Sequence, residues 1–437
     1  MKHIEFNNEV SLISEDELSK MSDILQPEIN KMNNALTLKY EDDRASINLP
    51  DDKDAYEKIQ NLIKEKRKIK PKYIVVVGIG GSNLGTIAVQ EATLGKLYNQ
   101  LDPSIRVLYA DTVDTDLIND IKSIIEPVLE QGEIVIINGV SKSGGTTETI
   151  SNFEILIDCV KKYHKDYHNH IVVTTDKNSK FWNLAIDKNY DVLEIPKKVG
   201  GRFSIFSSVG LFPLGLLGVD INQLLEGARY MRDKCLNSDI IQNPAAMSAS
   251  LIFLHNKNKI NIVDLFLFST DLESIGKWYR QLMGESIGKE FDKEKKQVFK
   301  GITPTVSIGS VDLHSMGQLY LGGPYDKFTT FIKVNNHKSN IIIPDFSDYE
   351  KLVNSIQRKP LASVMDAILQ GVQNAYKKGK RPFNEIIIPN KSAFCIGELL
   401  QYKMMEMMYL GYLLNVNPFD QPNVESYKIE TKKILED

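Results

Sequence analysis

A chain of 437 residues, 42% hydrophobic and 25% charged, has the apolar content to bury the cores of about two to four domains. Its formal net charge of −4 gives no attraction to nucleic acid or an anionic membrane, and no run of about 18 apolar residues could span a bilayer. Cys159, Cys235 and Cys395 are far apart and form no CxxC pair, which argues against a disulfide framework or cysteine metal site and for a reducing, cytoplasmic compartment.

Residues 1–66 are polar, with helical periodicity in SEDELSKMSDIL and DAYEKIQNLIKEK, and predict an N-terminal helical segment. The opening MKHIEFNNEV lacks the apolar core of a secretory signal, in line with the cytoplasmic expectation. The basic run KEKRKIKPK (Lys64–Lys72) falls between a helical pattern and a buried strand, so it reads as a solvated linker. After Pro71 the texture changes. YIVVVG, IRVLYA, EIVIING and HIVVTT predict short buried strands alternating with helices, up to a helix near 204–217. A polar helical connection, 221–259, leads into a second series with strands in IVDLFLFS (262–269), KFTTFIKV (327–334) and NEIIIP (384–389). Helical patterns lie between them and run on through 392–412. The expected fold is α/β, with two tandem domains at 67–220 and 260–415 and a tail at 416–437. Each domain should hold a mostly parallel sheet covered by helices on both faces.

The stretch VVVGIGGSNLG (75–85) runs from a buried strand into glycines and a serine, a pattern that wraps backbone around an anion. A dinucleotide fingerprint would need a third glycine, but Asn83 stands there. A P-loop would need lysine where Thr86 stands. What survives is a tight turn with Ser82 beside a helix N-terminus near Leu84, suited to a single phosphate. A second stretch, VIINGVSKSGGTTET (135–149), repeats the layout and adds the hydroxyls of Ser141, Ser143, Thr146 and Thr147. Two such loops at the carboxyl ends of strands in one parallel sheet point to its ligand crevice.

These two loops resemble those of the glucose-6-phosphate isomerase family, whose domains have the sugar-isomerase (SIS) fold. Four further blocks resemble that family in order and spacing: VGGRFSIFSSVG (199–210), QLMGESIGKE (281–290), DLHSMGQ (312–318) and QPNVESYK (421–428). The likeness covers nearly the whole chain, whose length is similar to the shorter, bacterial branch. One departure is Gly145, where relatives usually carry threonine; its neighbour Thr146 aligns with the phosphate-contacting threonine.

The resemblance implies cofactor-free, reversible isomerisation of glucose 6-phosphate to fructose 6-phosphate through a cis-enediolate, in glycolysis and gluconeogenesis. That chemistry needs a ring-opening acid, a carboxylate base and a cation near the developing oxyanion. Glu285 shares a helical face with Gln281 and Lys289, which alone would describe a solvent-facing ion-pair stripe. The resemblance instead makes Glu285 the proton-transferring base and Gln281 a substrate contact. Arg202 follows Gly200 and Gly201, which clear side chains from around a guanidinium, and it is similar to the family's enediolate-stabilising arginine. His314 matches the ring-opening histidine, Glu148 the carboxylate that orients it, and Lys428 the lysine contacting substrate hydroxyls and ring oxygen.

By the same likeness Gly81, Ser82, Ser141, Lys142, Ser143, Thr146, Gly201 and Gln421 are expected at the substrate, and the tail should close over the site. The family's working unit also implies a homodimer in which His314 reaches into the partner's site. The segment HKDYHNH (164–170) puts His164 and His168 one helical turn apart, but Lys165 stands where a zincin's glutamate belongs. A solvated connection and no metal are expected there. A non-catalytic sugar-phosphate sensor would keep both phosphate loops but could lose Glu285, Arg202, His314 and Lys428, and all four are present. A nicotinamide dehydrogenase is opposed by the missing third glycine.

Overall fold

A computed structural model describes residues 2–436. The chain opens with strand β1 (Glu5–Asn7) and helix α1 (Glu15–Leu38), whose start is fixed by a capping box. The Ser14 hydroxyl accepts the Glu17 N–H, while the Glu17 carboxylate accepts the Ser14 N–H. After α2 (Lys53–Lys68), strand and helix alternate: β2 (Tyr73–Val77), α3 (Leu84–Leu94), β3 (Arg106–Ala110), α4 (Thr115–Glu130), β4 (Val135–Val140) and α5 (Thr147–Tyr163). The run ends with β5 (Ile171–Asp176), α6 (Lys180–Asp187) and β6 (Asp191–Ile195). These five strands form an all-parallel sheet in the order β3-β2-β4-β5-β6. The chain reverses its direction of winding between β2 and β4. Open parallel sheets bind ligands at such a switch point, and both predicted phosphate loops leave from it.

Helices α7 (Ser208–Leu217), α8 (Ile221–Lys234) and α9 (Pro244–Lys257) lead to the second sheet. That half begins with β7 (Ile262–Leu267), helix α10 (Glu273–Ile287), a separate two-stranded hairpin of β8 (Lys289–Phe291) and β9 (Gln297–Lys300), and β10 (Thr303–Ile308). Then come α11 (Gly317–Gly322), β11 (Lys327–Val334), α12 (Leu361–Lys378), β12 (Phe383–Ile388), α13 (Ala393–Leu413) and α14 (Glu425–Glu436). The sheet order is β1-β12-β11-β7-β10, parallel except for β1.

The expectation of an N-terminal segment that is helical throughout is corrected at its start. Residues 5–7 pair antiparallel with β12, with Phe6 opposite Ile386, so the segment completes the far sheet. Three residues are too few to display a strand's alternation. Two strands lie where no strand is expected, β6 and β10, because both are edge strands with half-exposed residues and no continuous apolar run.

One hydrophobic core runs from Ile74, Val76 and Ile136 of the first sheet through α7, α10 and α13 to Leu265 and Ile332 of the second. At its centre α13 is buried at every residue from Ala393 to Gly411. It packs on α8 at near-contact of backbones: a Cβ on Gly227 would stand 1.9 Å from the Phe394 carbonyl oxygen, and one on Gly397 2.1 Å from that of Leu224. Charge inside this helix is matched, since Glu406 accepts from Lys403 (2.9 Å), Tyr279 (2.9 Å) and Ser248. Among the described residues no helix is long and apolar enough to cross a membrane.

Candidate active site

A crevice of about 1430 Å³ opens over the carboxyl ends of β2 and β4. Its floor begins at the turn after β2, where Gly80 adopts φ +58° and a 3-10 turn over Gly80–Ser82 leads into α3. A Cβ on Gly81 would stand 2.3 Å from the Gly201 carbonyl carbon, so only glycine lets this turn touch the segment carrying Arg202. Thr86 does not face the crevice; its hydroxyl lies 3.3 Å from the Val209 carbonyl, which fits the absence of a P-loop.

The second loop supplies Lys142, Ser143, Gly145, Thr146, Thr147 and Glu148 to the wall. Thr146 precedes α5 without its side chain capping the helix, so the first N–H groups of α5 stay available to an anion. Ser141 is buried behind it, its hydroxyl 3.0 Å from that of Thr146. A Cβ at Gly145 would meet nothing within 4 Å, so a Cβ clash does not dictate glycine there. Lys142 donates to the Lys197 carbonyl at 2.7 Å, and burial pushes its pKa down. Asp176, at the end of β5, was not foreseen. It lines the same crevice, burial pushes its carboxyl up to about 6, and its Oδ1 has no hydrogen-bond partner among the described residues.

Opposite the loops, α10 presents Gln281 and Glu285 one turn apart, with Gln281 Nε2 donating to Glu285 Oε1 at 3.2 Å. Arg202 Nη1 lies 3.3 Å from the other carboxylate oxygen. This arginine is almost wholly buried. Its Nε donates to Ser286 Oγ (2.8 Å), its Nη2 to the carbonyls of Pro418 (2.6 Å) and Asp420 (3.1 Å), and its Nη1 also to Gln421. Burial lowers its pKa, Glu285 and Asp420 oppose that, and the guanidinium stays charged. The surface stripe suggested by Glu285 and Lys289 does not form. Lys289 is buried and turns to the Glu285 main-chain carbonyl (2.9 Å) and to Asp420 (3.0 Å).

Lys428 lies on α14 at the rim, its ammonium paired with Glu425 at 2.7 Å. His314 is exposed on a 3-10 turn after β10 and does not line the crevice, whereas Glu148 does. Within one chain the two are therefore not brought together. In HKDYHNH, it is His170 and not His168 that meets His164, with ring centroids 4.6 Å apart. The helical spacing is void there because α5 ends at Tyr163.

Two helix-covered sheets, a switch point flanked by glycine- and hydroxyl-rich turns, and a carboxylate held between a guanidinium and an amide define an α/β protein of the sugar-isomerase type. The profile of the phosphoglucose isomerase family matches residues 64–437, and the chain belongs to that family. It is 34% identical over 388 residues to a glucose-6-phosphate isomerase of Carboxydothermus hydrogenoformans, covering 87% of this chain and 82% of that one. To the glucose-6-phosphate isomerase of Mycoplasmopsis synoviae it is 32% identical over 417 residues, covering 92% and 93%. Among solved structures, a hypothetical protein of Thermus thermophilus superposes with a TM-score of 0.86 at 27% identity, over 99% of both chains. A glucose-6-phosphate isomerase of Chlamydia trachomatis shares the fold, with a TM-score of 0.84 at 20% identity over 100% of this chain and 89% of that one.

Proposed function

We propose that this chain interconverts glucose 6-phosphate and fructose 6-phosphate, serving glycolysis and gluconeogenesis in the cytoplasm. The observation that carries the reading is Glu285, held between Arg202 and Gln281 in the wall of a crevice whose floor is a phosphate-type turn. The substrate dianion is received by the amides at Gly81 and Ser82, the start of α5, and the hydroxyls of Ser143 and Thr146. Lys142 supplies charge, and Ser141 orients Thr146 from behind. His314 and Lys428 assist transfer of the anomeric hydroxyl's proton to the ring oxygen, so that the C1–O5 bond breaks, the C1 carbonyl forms and the ring opens.

Glu285 then takes the proton from C2. The C–H electron pair becomes the C1–C2 double bond of the enediol(ate), and the carbonyl π electrons move to the C1 oxygen. Arg202 stabilises that developing charge. The hydroxyl proton on O2 passes to O1, Glu285 returns its proton to C1, and the O2 electron pair closes the C2 carbonyl, so the ketose forms, Glu285 ends as it began and no cofactor is consumed. The phosphate loops belong to the unit at 67–220 and the base to that at 260–415, so the reaction needs both. The sensor reading finds no support: the relatives are named as isomerases, and Glu285, Arg202, His314 and Lys428 are all retained.

The working unit in this reading is a homodimer in which His314 of one subunit completes the crevice of the other, where Glu148 orients it. Support comes from the exposure of His314 beside exposed Val311, Leu319 and Leu321. A coupled assay for fructose 6-phosphate formation from glucose 6-phosphate tests the activity. Co-refolding His314→Ala with Glu285→Gln tests the assembly. Random pairing makes half the dimers mixed, each with one intact site of two, so about a quarter of wild-type activity should return. Background activity after verified heterodimer formation defeats the shared site.

A further inference from the structure

A second group of donor side chains gathers at the opposite end of the first sheet. After α5 ends at Tyr163, the chain passes through His164 and Asp166 into a 3-10 turn, Tyr167–His170, and enters β5 at Ile171. One ring nitrogen of His164, one of His170 and a carboxylate oxygen of Asp166 lie within 4.8 Å of one another. His170 is 2% exposed, yet its Nδ1 has no hydrogen-bond partner among the described residues. Buried imidazole nitrogens are normally satisfied, so this one lacks the partner its position calls for.

His164 supplies an independent observation. Its Nε2 lies 3.2 Å from the Glu133 carbonyl oxygen. With Nε2–H donated there, Nδ1 keeps its lone pair, which is how an outer hydrogen bond fixes the tautomer of a metal-ligating histidine. The turn is anchored too: Lys66 donates to the Asn169 carbonyl at 2.6 Å, and its charge is matched by Asp191.

We infer that His164, Asp166 and His170 form a binding site for a divalent transition ion, zinc first among them. Two imidazoles and a carboxylate are a donor set for zinc, nickel, cobalt or copper, and water would complete the coordination. Donors about 2.1 Å from a tetrahedral ion stand about 3.4 Å apart, so the group must close by up to about 1.4 Å. Asp166 is exposed and its carboxylate can rotate to do so. The site is not the zincin that the sequence argues against, and it has no part in the isomerase chemistry. It sits at the amino end of β5, while the crevice lies at the carboxyl ends, about 20 Å away along a six-residue strand. A bound ion there staples the end of α5 to the start of β5.

The test uses the full-length protein stripped of metal, titrated with Zn²⁺ by calorimetry and with Co²⁺ by visible absorption, with Tm and isomerase activity read on the same samples. One equivalent should bind and raise Tm, with turnover unchanged. His164→Gln and Asp166→Asn should each weaken binding about 10-fold or more, while His168→Gln keeps wild-type affinity. These replacements avoid buried His170, whose loss could unfold the chain. Absence of stoichiometric binding, affinity that survives His164→Gln, or equal loss in His168→Gln overturns the site.

Discussion

Arg202 and Lys428 both bring a cation to the same crevice, but by opposite means. Arg202 is buried and spends its N–H groups on Glu285, Ser286, Gln421 and two main-chain carbonyls, so its position is over-determined. Lys428 sits on a helix with no buried residue, held by an i,i+3 ion pair of the kind worth a few tenths of a kcal/mol. The wall is set before substrate arrives; the rim can be reset by it. In the proposed reaction, the group that meets a transient charge is fixed, while the group that meets an incoming sugar is left adjustable.

The largest expected effect separates chemistry from architecture. Glu285→Gln keeps an oxygen for Arg202, and a flipped Gln281 amide can accept from the new NH2, so Tm and KM should hold while kcat falls about 10³-fold, and exchange of the C2 proton with solvent deuterium should stop. Exchange at the wild-type rate removes Glu285 from the mechanism. Arg202→Lys breaks the wall itself. Lysine keeps the charge but cannot fork to five acceptors, so the loss should be about 100-fold in kcat/KM together with about 3 kcal/mol of stability, read by denaturant titration. If only the rate falls, the over-determination argued for Arg202 is wrong.

Lys428→Ala breaks the rim. Tm should stay within a degree or two, while kcat/KM drops about 10-fold, the value of one charged hydrogen bond. A large fall in Tm makes the tail part of the fold rather than an adjustable cover. The smallest effect concerns Asp176, which belongs to neither group. Its folded pKa of about 6 lies above the ordinary carboxyl value, so the native state binds this proton more tightly than the unfolded chain does. Stability is therefore favoured below about pH 4 and is lost as pH rises toward 6. Asp176→Asn should raise Tm relative to wild type at pH 7.5, with the difference closing near pH 4. A difference independent of pH contradicts a strained carboxylate.

Strands buried on both faces were legible as continuous β-branched runs: β2, β4, β5 and β11 lie where the sequence set them. Of the edge strands only β3 was legible, in IRVLYA; β1, β6 and β10 were not, being too short or too exposed on one side to carry that signal. The phosphate loops were legible because glycine and hydroxyl spacing is local. Lys289 was not, because its partner Asp420 is 131 residues away. The likeness to known isomerases named Glu285, Arg202 and His314, but only folding shows that Glu285 and Arg202 meet while His314 stands apart. In HKDYHNH the one-turn spacing of His164 and His168 does not apply, because α5 ends at Tyr163.

The central placement of α13 has a consequence for how the chain is made. The first sheet is complete once Ile195 has emerged from the ribosome, and it can fold while synthesis continues. The first strand, β1, must wait for β12, and the helix that fills the middle of the molecule comes later still. Synthesis from Ile195 to the end of α13 at Leu413 takes roughly 10–45 s at about 5–20 residues per second. For that time the nascent chain carries a finished half beside an apolar surface with nothing yet to cover it, which makes chaperone demand during translation an expected property of this protein.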